Sequence, residues 1–411
     1  MASLVNPVRT VEEHRAVVAA LIPAAPIEQV PLAQTRGRVL GADLVSPIAL
    51  PPFDNSAMDG YAVRAADVAG ASDAIPVELP VAADIPAGRI DVPPLEPGTA
   101  HRIMTGAAMP VGADTVVQVE HTDGGVLQVR IRSAPPSGNA VRRVGEDVTA
   151  GSVVLGAATV LAAPQIGLAA AVGFATLPVR RRPTVLVLST GSELVAQGTP
   201  LLPGQIYESN GPMLAAAVED AGGRAELLRF VPDDVEQFVD TLARRLDAGP
   251  VDLVLTSGGV SAGAYEVVKD AFTGRGVEFA RVAMQPGGPQ GAGRLADLGG
   301  VAVVTLPGNP VSAQVSFEVF VRPALRAALG HPQPGRPIVR AGVSERLRSP
   351  AGKRQFRRGM LDAVDATVRE VGSAPSHLLG ALARADCLIV LPEDVTELAV
   401  GATVEVWLLD G

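Results

Sequence analysis

The sequence predicts a multidomain chain of the α/β plus β class, in which a central, mostly parallel α/β sheet domain joins two β-rich domains through a partly helical linker. Three observations lead there. The 411 residues exceed what one hydrophobic core usually covers. From Pro183, continuous apolar runs alternate with amphipathic helical stretches. On either side of that region the apolar runs are brief and broken by Pro and Gly, the punctuation of short strands.

The elements follow in order. Residues 12 to 22 read as a short amphipathic helix. From Val30 to Ala140 the pattern is β-rich, with alternating segments in PVELPVAADIPAG, GTAHRIMTGAAMP and DTVVQVEHTDGGVLQVRI and a hairpin signal at Gly124-Gly125, so a β domain spans about 51 to 140. The run from Ser152 to Val179 carries no charge, but it is rich in Ala and Gly and interrupted by Pro164 and Gln165. It predicts a buried helix after a strand rather than a membrane span. Then come VLVLST, a helix near 207 to 221, AELLRFV, a helix near 233 to 247, DLVLTS, a helix near 265 to 273, VEFARVAM, VAVVTLP and a long helix from 311 to 329. Strand and helix alternate five times, which implies a mostly parallel sheet covered on both faces. Beyond the Pro-rich segment at 331 to 337, IVRAGVSERL, QFRRGML, CLIVLP and TVEVWLL predict a C-terminal β domain.

Composition narrows the function classes. Apolar residues make up 47% and charged residues 19%, with 44 Gly and 35 Pro, which suits packed elements joined by tight turns rather than disorder. The net charge is −9 and the lysines are Lys269 and Lys353 alone, so nucleic acid is a poor partner. Cys387 is the single cysteine, which excludes an internal disulfide and multi-cysteine metal clusters, and the start MASLVNPVRTVEEH has no apolar signal core. A cytoplasmic protein without membrane attachment is the expectation.

Three apolar strands end in Gly/Ser-rich turns that lead into helices: VLVLSTGSEL (185–194), DLVLTSGGVSAG (252–263) and VVTLPGNPVSA (303–313). In an open α/β sheet, ligands bind at such strand ends, where Gly lets backbone N–H groups approach an anion and helix N-termini add partial positive charge. One Gly-Ser turn is usually only a tight loop; three on one sheet edge predict a phosphate-bearing ligand. None matches the GxxxxGK[ST] or complete GxGxxG pattern, so kinase and dinucleotide readings are weak.

Carboxylates form the second constellation: Asp54 and Asp59 in PPFDNSAMDG, Glu146 and Asp147 in VGEDV, Glu193, Asp233, Asp234 and Glu266. Oxygen-rich loops beside a phosphate can hold Mg²⁺. Asp233 and Asp234 have a plain alternative as first-turn helix acids, Glu193 likewise, and Glu146 and Asp147 as a solvated turn. PPFDNSAMDGYAV carries more hydrogen-bonding equipment than a turn requires and reads as a working loop. His14, His101, His121, His331 and His377 show no metal-ligand spacing.

The strings PPFDNSAMDGYA, TGAAMPVGADTVV, VGEDV, STGSELV, GQIYESNG, TSGGVSAG and LPGNPVSA, in this order, resemble the molybdopterin molybdotransferase family, which includes MoeA and the gephyrin E domain. The resemblance runs from about residue 10 to the end. It implies an elongated homodimer of four-part subunits: a linker domain of 1–50 and 141–179, a β domain of 51–140 carrying FDNSAMDG, an α/β molybdopterin-binding domain of 180–330 and a C-terminal β domain of 331–411. It further implies an active site between the α/β domain of one subunit and the FDNSAMDG domain of the other. Adenylated molybdopterin would bind at Thr190, Gly191, Ser257, Gly258, Gly259, Val260, Ser261, Pro307, Gly308, Asn309, Pro310 and Ser312. Asp59, Asp147, Glu193, Asp233 and Glu266 would serve molybdate insertion and AMP release, with Glu193, Asp233 and Glu266 as Mg²⁺ ligands. Molybdate and adenylated molybdopterin would be the substrates, and a molybdopterin adenylyltransferase is a candidate partner.

The chain departs from the family's pattern at four places. Ser192 replaces the Asp of STGDEL, Ala264 stands where an acid often follows GVSxG, and Glu266 stands where many members have Asp. The KPGKP segment appears as Gln285-Pro286-Gly287-Gly288-Pro289, without its two lysines. Because molybdate is a dianion, their loss weakens binding unless Mg²⁺ or an arginine such as Arg354 compensates. The leading expectation is therefore an active transferase. The alternatives are a weak paralogue that carries or scaffolds the cofactor, and an enzyme with changed oxyanion choice.

Overall fold

The computed structural model describes residues 8–231, 234–259, 267–372 and 376–409. Its centre is a seven-stranded sheet in the order Val8–Arg9, Val277–Val282, Pro289–Leu295, Val301–Leu306, Leu253–Ser257, Thr184–Thr190, Arg224–Val231. The last four strands in that order run parallel, as their continuous apolar runs predict. Leu186, Leu188, Val254 and Val303 enter one core with Phe238, Leu242 and Phe272. Val185, Val187, Leu253 and Val304 enter the other, with Leu214, Val218, Phe317 and Phe320. One sheet thus separates two helical layers.

The other half of the sheet departs from the expected alternation. Val277–Val282, Pro289–Leu295 and Val301–Leu306 form an antiparallel meander with no α-helix between them, only the short 3-10 turn Ala296–Leu298. The middle strand, PQGAGRL, has no apolar run to announce it. It exists because its glycines let three backbones close up: a Cβ at Gly293 would lie 2.0 Å from the Gly276 carbonyl oxygen, and one at Gly291 would lie 2.4 Å from Thr305 Oγ1. The helix expected at 311–329 is Pro310–Ser316 and Arg322–Ala328 joined by a π-helical turn, Phe317–Val321. The helices Asn210–Asp220 and Val235–Asp247 fall where their periodicity places them. Val267–Phe272 is the described part of the helix expected at 265–273.

The N-terminal helix Val11–Leu21 begins with a capping box, in which Glu13 N–H donates to Thr10 Oγ1 and Thr10 N–H donates to Glu13. Val11 and Val18 pack into the central core, so residues 8–22 belong physically to the α/β layers. Downstream, Ile27–Pro31 pairs with Thr176–Arg180 and Leu44–Val45 with Val153–Leu155, around Leu40, Leu161 and Leu177. The helix expected to be buried in the uncharged run is Ala163–Ala171, and only its Ala169 is buried; small side chains make that exposure inexpensive. No helix among the described residues is long and apolar enough to cross a membrane.

Within 51–140, a five-stranded sheet has the order Thr115–Gln118, Gly60–Val63, Ala100–Ile103, Val77–Ile85, Gln128–Ile131. The Gly124-Gly125 turn closes only a narrow bridge, Thr122 to Ile131. Thr115–Gln118 and Gln128–Ile131 do not pair with each other but take separate partners in the sheet. The C-terminal strands Arg354–Asp362, Thr367–Glu370, Ile338–Val343, Thr403–Leu408 and Cys387–Leu391 close on themselves into a small barrel, since the first also pairs with the last. The dipeptide Met284–Gln285 leaves the α/β region and adds to this barrel beside Arg354 and Gln355.

Candidate active site

A cleft of about 1280 Å³ opens at the C-terminal ends of the parallel strands. All three Gly/Ser-rich turns meet in it, contributing Thr190, Gly191, Ser257, Gly258, Gly259, Pro307, Gly308, Asn309, Pro310 and Ser312, together with Glu193. Of the other residues expected here, Val260, Ser261, Asp233 and Glu266 lie outside the described residues. Asp59 and Asp147 do not line the cleft.

Close packing of small residues shapes this wall. Gly258 and Gly259 have φ of 94° and 65°, which side-chain-bearing residues rarely adopt. A Cβ at Gly308 would lie 3.3 Å from the Gly258 Cα, so the second and third turns touch backbone to backbone. Asn210 Nδ2 donates to the Gly308 carbonyl at 2.7 Å, and Asn309 Nδ2 donates to Ser376 Oγ at 2.9 Å. Asn309 precedes Pro310–Ser316 without capping it, which leaves the first-turn N–H groups at the cleft wall without a side-chain cap. Ser257 and Ser312 are nearly fully buried at its floor. Backbone N–H groups, a helix terminus and hydroxyls suit a phosphate without a formal cation.

Among the described lining residues there is no lysine or arginine, and His377 is the one basic side chain. Arg354 does not compensate for the missing lysines: its guanidinium is held by Glu12 and by Glu393, the latter at 3.0 Å, and it is not part of the wall. The carboxylates present are Glu193 and Glu208. Glu208 accepts from Gly211 N–H at 2.6 Å and so caps the helix Asn210–Asp220. Glu193 packs over Gly191, where a Cβ would come within 2.7 Å of its carboxylate.

Glu208, Asn210, Ser376 and His377 line the cleft without having been singled out as site residues. The first two belong to the GQIYESNG string and could have been nominated from it. Ser376 and His377 arrive from the C-terminal barrel region, and nothing in their local sequence announces that contact.

The FDNSAMDG loop forms a second locus. Its strand Asn55–Ser56 pairs with Val141–Arg142, and Gly106 N–H and Met109 N–H donate to the Ser56 and Asp54 carbonyls. FDNSAMDG, TGAAMP and VGEDV are thereby knitted together. Asp59 accepts from Thr105 N–H at 2.6 Å and from the Thr105 hydroxyl at 2.7 Å. Those two donors, the backbone one first, hold its carboxyl below the usual range. Asp54 is lowered likewise by Val144 N–H and then by Arg143, each at 2.7 Å. Asp59 and Asp147 are exposed, beside the exposed apolar side chains Phe53, Met58 and Val144. Among the described residues no group of three or more His, Cys, Asp or Glu could hold a metal ion.

A strand-end cleft walled by Gly/Ser-rich turns beside a small barrel, with a loop of hydrogen-bonded acids outside it, defines a ligand-binding protein of multidomain α/β type. Family models agree in detail. One described as the MoeA N-terminal region, domains I and II, matches residues 9–173; one described as a probable molybdopterin binding domain matches 186–327; one described as the MoeA C-terminal region, domain IV, matches 340–409. Molybdopterin molybdenumtransferase 2 of Mycobacterium tuberculosis H37Rv is 56% identical over 406 residues, covering 97% of this chain and 99% of that protein. Molybdopterin molybdenumtransferase 1 of the same organism is 38% identical over 424 residues, covering 98% and 99%. A crystal structure of the molybdopterin biosynthesis MoeA protein from Pyrococcus horikosii, 33% identical, superposes with a TM-score of 0.82 over 98% of this chain and 100% of that one. The chain belongs to the molybdopterin molybdenumtransferase family.

Proposed function

We propose that the chain inserts molybdate into adenylated molybdopterin, yielding molybdenum cofactor and AMP. The observation that carries this reading is the convergence of the three turns on one cleft, within a chain that matches molybdenumtransferases along nearly its whole length. The Gly258-Gly259 turn and the start of the helix Pro310–Ser316 offer N–H groups to the substrate's phosphates, while Ser257 and Ser312 add hydroxyl donors. Molybdenum would bond to the two dithiolene sulfurs as two molybdate oxygens leave as water with the thiol protons, while water cleaves the phosphoanhydride at the pterin's terminal phosphate and releases AMP.

Mg²⁺ fits the donor chemistry. Glu193 supplies a carboxylate oxygen inside the cleft, and one or two carboxylates plus substrate phosphate oxygens form a usual Mg²⁺ set. Asp233 and Glu266 complete the proposed ligands. When bound, the ion neutralises charge on the phosphoanhydride.

The separation of the acidic loop from the cleft supports a shared site: Asp59 and Asp147 would reach the cleft of a second copy, making the homodimer the active species. Such an enzyme acts in the cytoplasm on a substrate prepared by an adenylating enzyme. The carrier reading is favoured by one observation, the lack of lysine and arginine along the described cleft wall. Glu193→Ala tests the transferase site: turnover of adenylated molybdopterin is expected to fall about 100-fold or more, with the thermal midpoint unchanged. Turnover equal to that of the parent would remove Glu193 from the chemistry.

A further inference from the structure

Behind the cleft, one buried amide ties two of its walls together. Gly287, on the turn before the strand Pro289–Leu295, and Ser312, on the helix Pro310–Ser316, both line the cleft. Gln290, the second residue of that strand, does not line it and is 1% exposed. Its Nε2 donates to the Gly287 carbonyl oxygen and to Ser316 Oγ, each at 2.7 Å. Ser316 is fully buried. The turn lies directly on the helix, because a Cβ at Gly287 would come within 2.6 Å of Ser316 Oγ and 3.5 Å of the Ser312 carbonyl oxygen.

Chemistry fixes the direction of this bridge. A carbonyl oxygen only accepts, so the Gln290 group facing Gly287 is the NH₂ group. Oε1 is left buried and without a hydrogen-bond partner. An orphaned buried acceptor is destabilising, and the same face of the strand carries Ala292 in the apolar core two residues on. An apolar side chain of equal length would fill the space without that penalty. What Gln290 supplies and an apolar residue would not is the pair of bonds, one to each wall, which points to function rather than packing.

Resting on the transferase reading above, we propose that Gln290 is a positioning residue for substrate binding. By holding the Gly287 turn and the helix Pro310–Ser316 at one separation, it keeps the first-turn N–H groups and the Ser312 hydroxyl aligned for the substrate's phosphates. Ser316 lies four residues after Ser312 on the same face of the helix, so a hold on one fixes the other. Gln290 acts through these groups and touches no ligand itself. Those contacts are made to the bound substrate as much as to the transition state, so loosening them weakens binding without slowing the chemical step.

Gln290→Met separates this from a merely structural role, since it keeps the side-chain length and removes both bonds together with the orphaned acceptor. The expected result is a KM for adenylated molybdopterin raised about tenfold, with kcat within about twofold of the parent and the thermal midpoint not lowered. Ser316→Ala cuts one bond and raises KM by less; added to Gln290→Met it raises KM no further, because both act through one bridge. Val218→Ala opens a cavity in the same core from the helix Asn210–Asp220, so it lowers the midpoint and leaves KM at the parental value. An unchanged KM in Gln290→Met, an equal rise in Val218→Ala, or additive effects of Gln290→Met and Ser316→Ala would each overturn the proposal. If the parent releases no AMP, the transferase reading fails. Calorimetric titration of inorganic pyrophosphate into the parent and Gln290→Met proteins then decides the proposal: weaker binding to the variant upholds it, and equal affinities or no binding to the parent overturn it.

Discussion

His14 is wholly buried, and neither ring nitrogen has a hydrogen-bond partner; its ring stands edge-on to Phe320 at 4.7 Å. Desolvation, with the Arg9 charge second, pushes its pKa down to about 4. The unfolded chain binds a proton near pH 6.5 and the folded one does not, so stability rises with pH across this window. The contribution is complete above about pH 6.5 and is lost as pH falls toward 4, about 3 kcal/mol in all. Denaturant titrations from pH 7.5 down to pH 4.5 should show this slope, and His14→Phe should flatten it. His331, also pushed to about 4 by burial and by Arg326 and Arg322, adds a similar but smaller trend.

Also at the residue scale, Gly288→Lys should be accommodated, because a Cβ there meets only the Val282 and Met284 carbonyl oxygens, at 3.5 and 3.9 Å. It should lower the apparent molybdate constant by supplying a cation at a rim that has none. An unchanged constant would show that the oxyanion sits elsewhere in the cleft. Single residues were legible where their chemistry was local. Asp59 stood out because its loop held more polar groups than a turn needs. Ser376, His377 and the partnership of Gln285 with Gln355 were not legible, since each depends on barrel residues tens of positions away.

Among the elements, the parallel strands Thr184–Thr190, Leu253–Ser257 and Val301–Leu306 were readable because burial on both faces makes their sequences continuously apolar. Pro289–Leu295 was not readable, because what makes it a strand is the closeness of its neighbours rather than any propensity of its own. That argument has a direct test. Gly293→Ala should cost about 1–3 kcal/mol in urea unfolding, since the new methyl would lie 2.0 Å from the Gly276 carbonyl. The same change at Gly335, where a Cβ meets nothing within 4 Å, should be near neutral. The π-helical turn Phe317–Val321 was likewise invisible, because its apolar pattern passes for an ordinary helix; it buries both Glu318, held by Arg336 at 2.8 Å, and Arg322 within the core layer.

On the scale of the whole molecule, the cleft and the FDNSAMDG locus are separate: the three turns meet in one with Glu193 and Glu208, and the other holds Asp54 and Asp59 and exposes Phe53, Met58 and Val144. If two copies complete one site, mixing inactive Asp59→Ala and Glu193→Ala proteins should restore about a quarter of parental turnover, because mixed dimers carry one intact site of two. No recovery after subunit exchange would place each site within a single chain. The motif order in the sequence pointed to both loci, and the structure adds that Asp59 and Asp147 do not line the cleft of their own chain. The central claim remains the chemistry in the cleft, and its most direct test is AMP release from adenylated molybdopterin by the purified protein, with molybdate and Mg²⁺ added or withheld. AMP release that requires both and is matched by cofactor formation is the predicted result; tight pterin binding without release would contradict it and make the protein a carrier.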